Sequence, residues 1–175
     1  DCGKVSTPVH VIDKATKLET IFDRIELVAS RFEVLKRDKE IDFLKFKLEL
    51  VENGKADEVL LHEQRVKAEL EQLDDDIAFI RKCNVGAEFM EKEDQLRVEK
   101  VSQYQKRNSL GFYEDILTAD EVMNLNISRG TLNEEERKII NDHIVITLKM
   151  LNELDYPKHL KNIPDIAGSH HERMD

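Results

Sequence analysis

Apolar residues recur every three or four positions through much of the chain, which is the spacing of one face of an α-helix. The first run starts at Leu18, and the same spacing carries on as far as Leu50, just before the turn signal Asn53-Gly54. It predicts one long helix. The positions that establish it are Leu18, Ile21, Ile25, Val28, Phe32 and Leu35.

A second predicted helix begins near Ala56 and ends at Cys83-Asn84-Val85-Gly86. Its apolar residues alternate steps of four and three, a pattern typical of an antiparallel helix pair or a coiled coil. A third helix, with weaker periodicity, is predicted for residues 87–107. The apolar positions of the second helix are Val66, Leu70, Leu73, Ile77 and Ile80.

The last third of the chain contains shorter helical units. Thr118 and Glu121 have the spacing of a capping box, and Asn133 stands where it would cap the next helix. That helix is predicted to contain His143 and to end near Leu151. A final helix starts around Pro164 and reaches the pair at 170–171. Residues 1–17 are predicted to be the end of a helix or a turn, followed by an irregular stretch.

Composition supports a helical protein and excludes several functions. Charged residues make up 37% of the chain, whereas glycine and proline together account for 9 of 175 residues. This composition favours an all-α fold over an all-β one. The net charge of −10 argues against a protein that binds the phosphate backbone of DNA or RNA.

Localisation is predicted from what the sequence does not contain. There is no apolar run long enough for a membrane span, and the first residues do not have the pattern of a signal peptide. The two cysteines, Cys2 and Cys83, are far apart and are interpreted as incidental thiols in a reducing compartment. A cytoplasmic location is therefore expected.

The residues that could carry chemistry lie mostly at the two ends of the chain. They are Asp1 and Lys4, the adjacent pair His170 and His171, and, inside a predicted helix, His143. Imidazole and carboxylate together suit Zn, Mn or Fe, and a carboxylate can bridge two metals. On residue type alone, an ordinary helical histidine explains His143 better than a metal ligand does.

The order of these motifs along the chain favours the metal-ligand interpretation. Asp-x-Gly-Lys at residues 1–4, the Thr-Leu-acidic helix opening at 131–136, and His-His-Glu-Arg-x-Asp at 170–175 resemble the HD-GYP family of bacterial phosphohydrolases. The resemblance covers about residues 1–18 and 128–175. It implies an all-α HD-domain helical bundle, here with an inserted helical hairpin or coiled-coil-like arm.

The resemblance also implies roles for particular residues. Asp1 would bridge two metals, and Lys4 would bind the phosphate or stabilise the attacking hydroxide. His143, His170 and His171 would be further metal ligands. The cofactor would be two or three divalent ions, Fe or Mn in preference to Zn, and a metal-bound hydroxide would attack phosphorus. Cations near the motifs that could help bind the phosphate are Lys4, Lys158, Lys161 and Arg173.

Two departures from the family pattern concern the ends of the chain and the surroundings of His143. The family has a His before the residue that corresponds to Asp1 and a Gly-Tyr-Pro segment after the final motif, so the chain is expected to be a fragment whose flanks hold part of the site. The family also usually has Pro directly after the helix His and Gly four positions after it. Ile144 and Thr147 stand there instead.

The largest departure is an insertion. A first Lys-Leu-acidic segment occurs at residues 14–19, but it places Ala29 where a ligand is needed, whereas the copy at 131–132 places His143 there. Roughly 110 helical residues are therefore expected between two halves of the site. The predicted division is 1–35 and 111–175 for the HD-GYP-like domain and 36–110 for the arm.

The leading hypothesis is a metal-dependent phosphodiesterase that hydrolyses a cyclic dinucleotide such as cyclic di-GMP in bacterial signalling. The alternative is an inactive HD-GYP-like signalling scaffold whose arm mediates dimerisation or partner binding. An ordinary helical bundle with incidental histidines is a third reading. The expected partners are the cyclic dinucleotide and, through the helices, a second copy of the chain.

Overall fold

A computed structural model of the chain describes residues 7–169, and the prediction of an all-α fold is confirmed. Short 3-10 turns lie at Ala56–Glu58 and Lys158–Leu160. In chain order the other elements are α1 (Val9–Ile12), α2 (Ile25–Glu52), α3 (Val59–Asn84), α4 (Lys92–Ser102), β1 (Gln105–Arg107), β2 (Tyr113–Asp115), α5 (Ala119–Leu125), α6 (Glu134–Asn141), α7 (His143–Asn152) and α8 (Ile163–Gly168).

The chain divides into two compact units. The larger is continuous, Ala15–Thr131, whereas the smaller combines Asp1–Lys14 with Leu132–Asp175. These bounds are not those of the predicted division at 35/36 and 110/111, and residue 35 lies within the continuous helix α2. The predicted division concerns which segments belong to an HD-GYP-like domain. The packing does not test this, so the division stays a prediction.

The larger unit is built on the long antiparallel pair α2 and α3. The chain reverses at Gly54, whose positive φ of 74° suits a residue without a Cβ. Ion pairs Lys36–Asp74 and Lys39–Glu69 join the two helices at their edges, both at 2.7 Å. The buried core that fixes the pair against α4, α5 and the segment before α5 contains Leu18, Val28, Phe32, Leu35, Leu73, Phe79, Ile80, Met90, Val98, Val101, Ile116, Leu117 and Leu125.

The third predicted helix, 87–107, was too long at both ends. Helix α4 covers only its middle, and residues 105–107 instead pair with 113–115 as a small antiparallel hairpin. The carboxamide Oδ1 of Asn108 accepts the backbone N–H groups of Leu110 and Phe112, which closes the turn. Local side-chain bonding of this kind competes with helix and explains the difference.

The first long helix begins at Ile25 rather than at Leu18. The backbone N–H groups of Lys17 and Leu18 bond to Asn84, at the end of α3, at 2.8 Å and 2.7 Å. Asp23 accepts the N–H of Ile25, the first residue of α2, at 3.0 Å. Residues 15–24 therefore form an irregular connection although their apolar spacing resembles that of a helix.

A buried lysine joins the two ends of the larger unit. Lys17 is 2% exposed, and its ammonium group donates to the carbonyl oxygens of Leu125 and Ile127 at 2.8 Å and 2.7 Å. Burial lowers the pKa of Lys17, with smaller opposing effects from Cys83 and Asp94. The chain therefore enters and leaves this unit at neighbouring points.

The smaller unit, within residues 7–14 and 132–169, is a group of short helices. Helix α8 packs on α7, and α1 lies against α6. The helix predicted from Asn133 to Leu151 is divided at Asp142 into α6 and α7. In the part of the chain that the structure describes, no helix has both the length and the apolar character needed to cross a membrane.

Candidate functional site

An ion pair joins the two segments of the smaller unit. The ammonium group of Lys14 donates to both carboxylate oxygens of Glu136, at 2.8 Å and 2.9 Å, across 122 positions of sequence. The side chains are 2% and 16% exposed, so the pair is largely shielded from water. The ion pair therefore attaches the segment that follows the candidate site residues Asp1 and Lys4 to the start of α6.

Glu136 is held in place by the cap of its own helix. Its Oε2 accepts the backbone N–H of Asn133 at 2.9 Å, while Asn133 Oδ1 accepts the N–H of Glu136 at 2.9 Å. This is the capping box, and the predicted cap residue Asn133 is confirmed. One carboxylate therefore both caps α6 and binds Lys14.

His143 lies at the beginning of α7, where the division from α6 leaves its side chain buried at 7% exposure. Its Nδ1 lies within hydrogen-bonding distance of the carbonyl oxygen of Ile140. A backbone carbonyl oxygen can only accept a hydrogen bond, so Nδ1 is the donor in this contact. This is the arrangement typical of metal-binding histidines, in which a backbone carbonyl orients the ring.

A buried hydroxyl lies one helical turn beyond His143. Thr147 is 4% exposed, and its Oγ1 has no hydrogen-bond partner within the described structure. Residues four apart lie on one helix face, so His143 and Thr147 are neighbours along α7. The imidazole and the hydroxyl give this face of α7 two buried polar groups, and such a face can accept a polar group.

We predict that Thr147→Val stabilises the metal-free protein. Valine has the shape of threonine but removes a buried hydroxyl whose desolvation is uncompensated, so the free energy of unfolding should rise by about 1 kcal/mol. The measurement is urea denaturation in the presence of a chelator. Thr147→Ser is the matched control, because it keeps the hydroxyl and deletes a buried methyl; it should lower stability. A less stable valine variant would contradict the prediction.

Helix α8 leads directly to the predicted ligand pair at 170–171. A Cβ built on Gly168 would lie 3.0 Å from Cδ2 of Leu148, so the glycine allows α8 to approach α7 closely. Pro164, at the start of α8, is buried and sets the beginning of that helix. The chain two residues before His170 is thus packed against the helix that contains His143.

The other predicted site residues lie outside the described residues. These are Asp1, Lys4, His170, His171 and Arg173. Between residues 7 and 169 no three His, Cys, Asp or Glu side chains converge to hold a metal. A buried imidazole oriented by a backbone carbonyl, as in His143, suits one ligand position of a divalent metal. His143 is the one candidate ligand within the described residues. Lys158 and Lys161 are both exposed.

Sequence reasoning missed two features of this site. The Lys14–Glu136 pair carries no local signal, because its members are 122 positions apart and each occurs in a charged stretch. The unpartnered hydroxyl of Thr147 could have been anticipated in part, since the residue stands where the resembled family has glycine. The prediction that His143 is a ligand rests on the motif and stays a prediction.

Residues 116–175 match the family model described as HD domain, which is 60 of 175 residues. The match includes α5 to α8 and the candidate ligands His143, His170 and His171, but not Asp1 or Lys4. No curated protein and no solved structure matches the chain. The match supports an HD phosphohydrolase superfamily member and, at that coarse level, a metal-dependent hydrolase.

Proposed function

We propose that this chain, which carries an HD domain at residues 116–175, is a metal-dependent phosphodiesterase of the HD-GYP type that hydrolyses a cyclic dinucleotide. The observation that carries the proposal is His143. It is buried within the matched segment, with Nδ1 against the carbonyl of Ile140 and a second polar group, Thr147, one turn away. A buried histidine held in this way is suited to binding a metal.

The Lys14–Glu136 pair supports a site built from both ends of the chain. It attaches the segment after Asp1 and Lys4 to α6, one helix before His143. In the proposal Asp1, His143, His170 and His171 hold the metals, Lys4 binds the phosphate, and Arg173 assists. Divalent ions bound there would supply water activation and neutralise charge on the phosphate.

The acidic composition is compatible with this substrate. A net charge of −10 opposes a long polyanion, but a cyclic dinucleotide carries only two phosphates and can be bound by local cations. Lys4 and Arg173 are the proposed ones. The finer proposals, cyclic di-GMP as the nucleotide, bacterial signalling and Fe or Mn as the metal, rest on the resemblance of the motifs.

The proposal is tested on the full-length protein by metal analysis and by hydrolysis of a substrate panel. The panel contains cyclic di-GMP, cyclic di-AMP, bis(p-nitrophenyl) phosphate and a nucleoside monophosphate. We expect stoichiometric divalent metal and cleavage of a cyclic dinucleotide to its linear form. Cleavage of the monophosphate alone would overturn the cyclic-dinucleotide assignment and leave a metal-dependent phosphohydrolase.

The second candidate function is an HD-GYP-like scaffold without turnover. It is favoured by Thr147, whose side chain occupies buried space beside His143 where the resembled family has glycine. Purified protein that contains no divalent metal and cleaves none of the substrates would support the scaffold and overturn the phosphodiesterase. Metal content and the substrate panel together therefore separate the two functions.

A further inference from the structure

Helix α2 has a second apolar face that the core of the larger unit does not use. We call it the outer stripe: its apolar members are between 43% and 65% exposed, and they follow heptad spacing. Ser30 and Arg37 occupy the two remaining heptad positions. The members of the outer stripe are Leu27, Val34, Ile41, Leu44, Leu48 and Val51.

The opposite side of α2 is already occupied by α3. Phe32 and Leu35 are buried on that side, and the ion pairs from Lys36 and Lys39 reach α3 from there. Successive residues are 100° apart around a helix. By that geometry the outer stripe lies almost directly opposite this packed face of α2. The outer stripe is therefore a second seam on the same helix, with spacing that suits packing against another helix.

We propose that the outer stripe binds a second copy of this chain, as an antiparallel pair of α2 helices centred between Ile41 and Leu44. In this register Ile41 of one copy packs on Leu44 of the other, and Val34 packs on Val51. The overlap from Val34 to Val51 is about 26 Å long. Since α2 is already folded on α3, dimerisation does not have to order it.

The charges beside the outer stripe are complementary in this register. Glu40 and Lys47 flank one side of the seam. Asp38 and Lys45 flank the other side, where Asp38 also accepts the backbone N–H of Arg107 in β1 at 2.9 Å. In an antiparallel pair Glu40 faces Lys47 of the second copy and Asp38 faces Lys45 of the second copy, and symmetry makes each contact twice. Each of these flanking contacts joins opposite charges.

Two contacts count against a parallel pair, although its other flanking contacts also join opposite charges. In parallel register Arg37 would face its own counterpart inside the seam, and Glu33 would lie beside Asp38 of the second copy. Both contacts bring like charges together. In the antiparallel register Arg37 faces Leu48 instead, and its guanidinium can remain at the edge, where it pairs with Glu40 of its own helix at 2.6 Å.

The first test measures the mass of the full-length protein by sedimentation equilibrium. We expect a dimer at about 50 µM chain. The variant Ile41→Glu/Leu44→Glu should raise the dimer dissociation constant at least about tenfold, because it places charge in the seam. Leu96→Glu is the matched control: Leu96 is similarly exposed, at 57%, but lies on α4, so this variant should remain dimeric. A monomeric wild-type protein would overturn the proposal.

The second test distinguishes the two orientations by charge exchange. Glu40→Lys and Lys47→Glu should each weaken an antiparallel dimer, and the double variant should recover it, because the two charges then exchange places. In a parallel dimer Glu40 faces Lys45 and Lys47 faces Glu52, so the double variant would be the weakest of the three. Recovery supports the proposal, and further weakening overturns the antiparallel register.

These measurements are independent of the proposed phosphodiesterase activity. All the variants lie on α2 or α4, outside the HD-domain match at 116–175. The readout is mass, which does not require a substrate. Failure of the hydrolysis assay therefore leaves the dimer prediction intact, and the reverse is also true.

Discussion

Replacing His143 with alanine is expected to lower cyclic dinucleotide hydrolysis at least about a hundredfold and to reduce the metal content of the purified protein. Loss of a residue that only orients a ligand typically costs ten- to a hundredfold, and His143 is proposed as a ligand itself. The measurements are the steady-state rate and metal analysis of the same preparation. Unchanged rate and metal content would remove His143 from the site.

The control for this prediction is another histidine of the smaller unit. His159 lies in the 3-10 turn Lys158–Leu160 and is exposed, so His159→Ala should leave both rate and metal content unchanged. His143→Gln guards against misfolding, since it keeps a polar side chain of similar size in the buried position. A folded glutamine variant with wild-type hydrolysis would contradict the assignment.

The second large effect is expected on stability, at a buried ion pair in the larger unit. Arg31 donates two hydrogen bonds to Glu121, both at 2.7 Å, and a third to the carbonyl of Ile116 at 2.7 Å. The Glu121 side chain is 2% exposed and also accepts the N–H of Thr118 at 2.9 Å. Its removal leaves Arg31 charged, largely buried and without its carboxylate.

We expect Glu121→Ala to lower the free energy of unfolding by about 3–5 kcal/mol, the usual cost of removing one member of a buried pair. The measurement is urea denaturation at neutral pH. The adjacent Asp120 provides the matched control, since it pairs with Arg24 at 2.7 Å but is 54% exposed. Asp120→Ala should cost no more than about 1 kcal/mol. Equal losses in the two variants would contradict the buried-pair explanation.

The contribution of Glu121 to the free energy of unfolding should depend on pH. Burial alone would raise the pKa of Glu121, but the hydrogen bonds from Arg31 and Thr118 outweigh it, so the pKa in the folded protein is lowered. A lowered carboxyl pKa stabilises the fold above the pKa of the unfolded chain. That contribution is lost as the pH falls through the folded value, so acid should narrow the gap between wild type and Glu121→Ala.

Local features of the fold could be predicted because a few adjacent residues determine them. The capping box of Thr118 and Glu121 is confirmed: Glu121 N–H donates to Thr118 Oγ1 at 3.2 Å. The cap at Asn133 and the turn at Asn53-Gly54 were also predicted correctly. In each case the chemistry lies within four residues, where a side chain competes directly for backbone groups.

Features that depend on distant partners could not be predicted. Lys17 precedes the first predicted helix and carries no local sign of burial, yet in the structure it is buried against carbonyls more than 100 positions away. The partner of Lys14 is equally remote. The apolar spacing on α2 was predicted as one helix face, but only the packing of α3 shows that a second apolar stripe remains exposed. Periodicity identifies a helix face without identifying what covers it.

The discontinuity of the smaller unit has a consequence for folding. Bringing Lys14 to Glu136 directly would close a loop of 122 positions, at an entropic cost of about 4 kcal/mol before any contact is made. The larger unit folds from continuous chain, and Lys17 bonds there to Ile127. Once that unit has formed, only the few residues that join it to Lys14 and to Glu136 remain to be closed. During synthesis the first segment of the smaller unit must wait for the last, and the folded larger unit shortens the search between them.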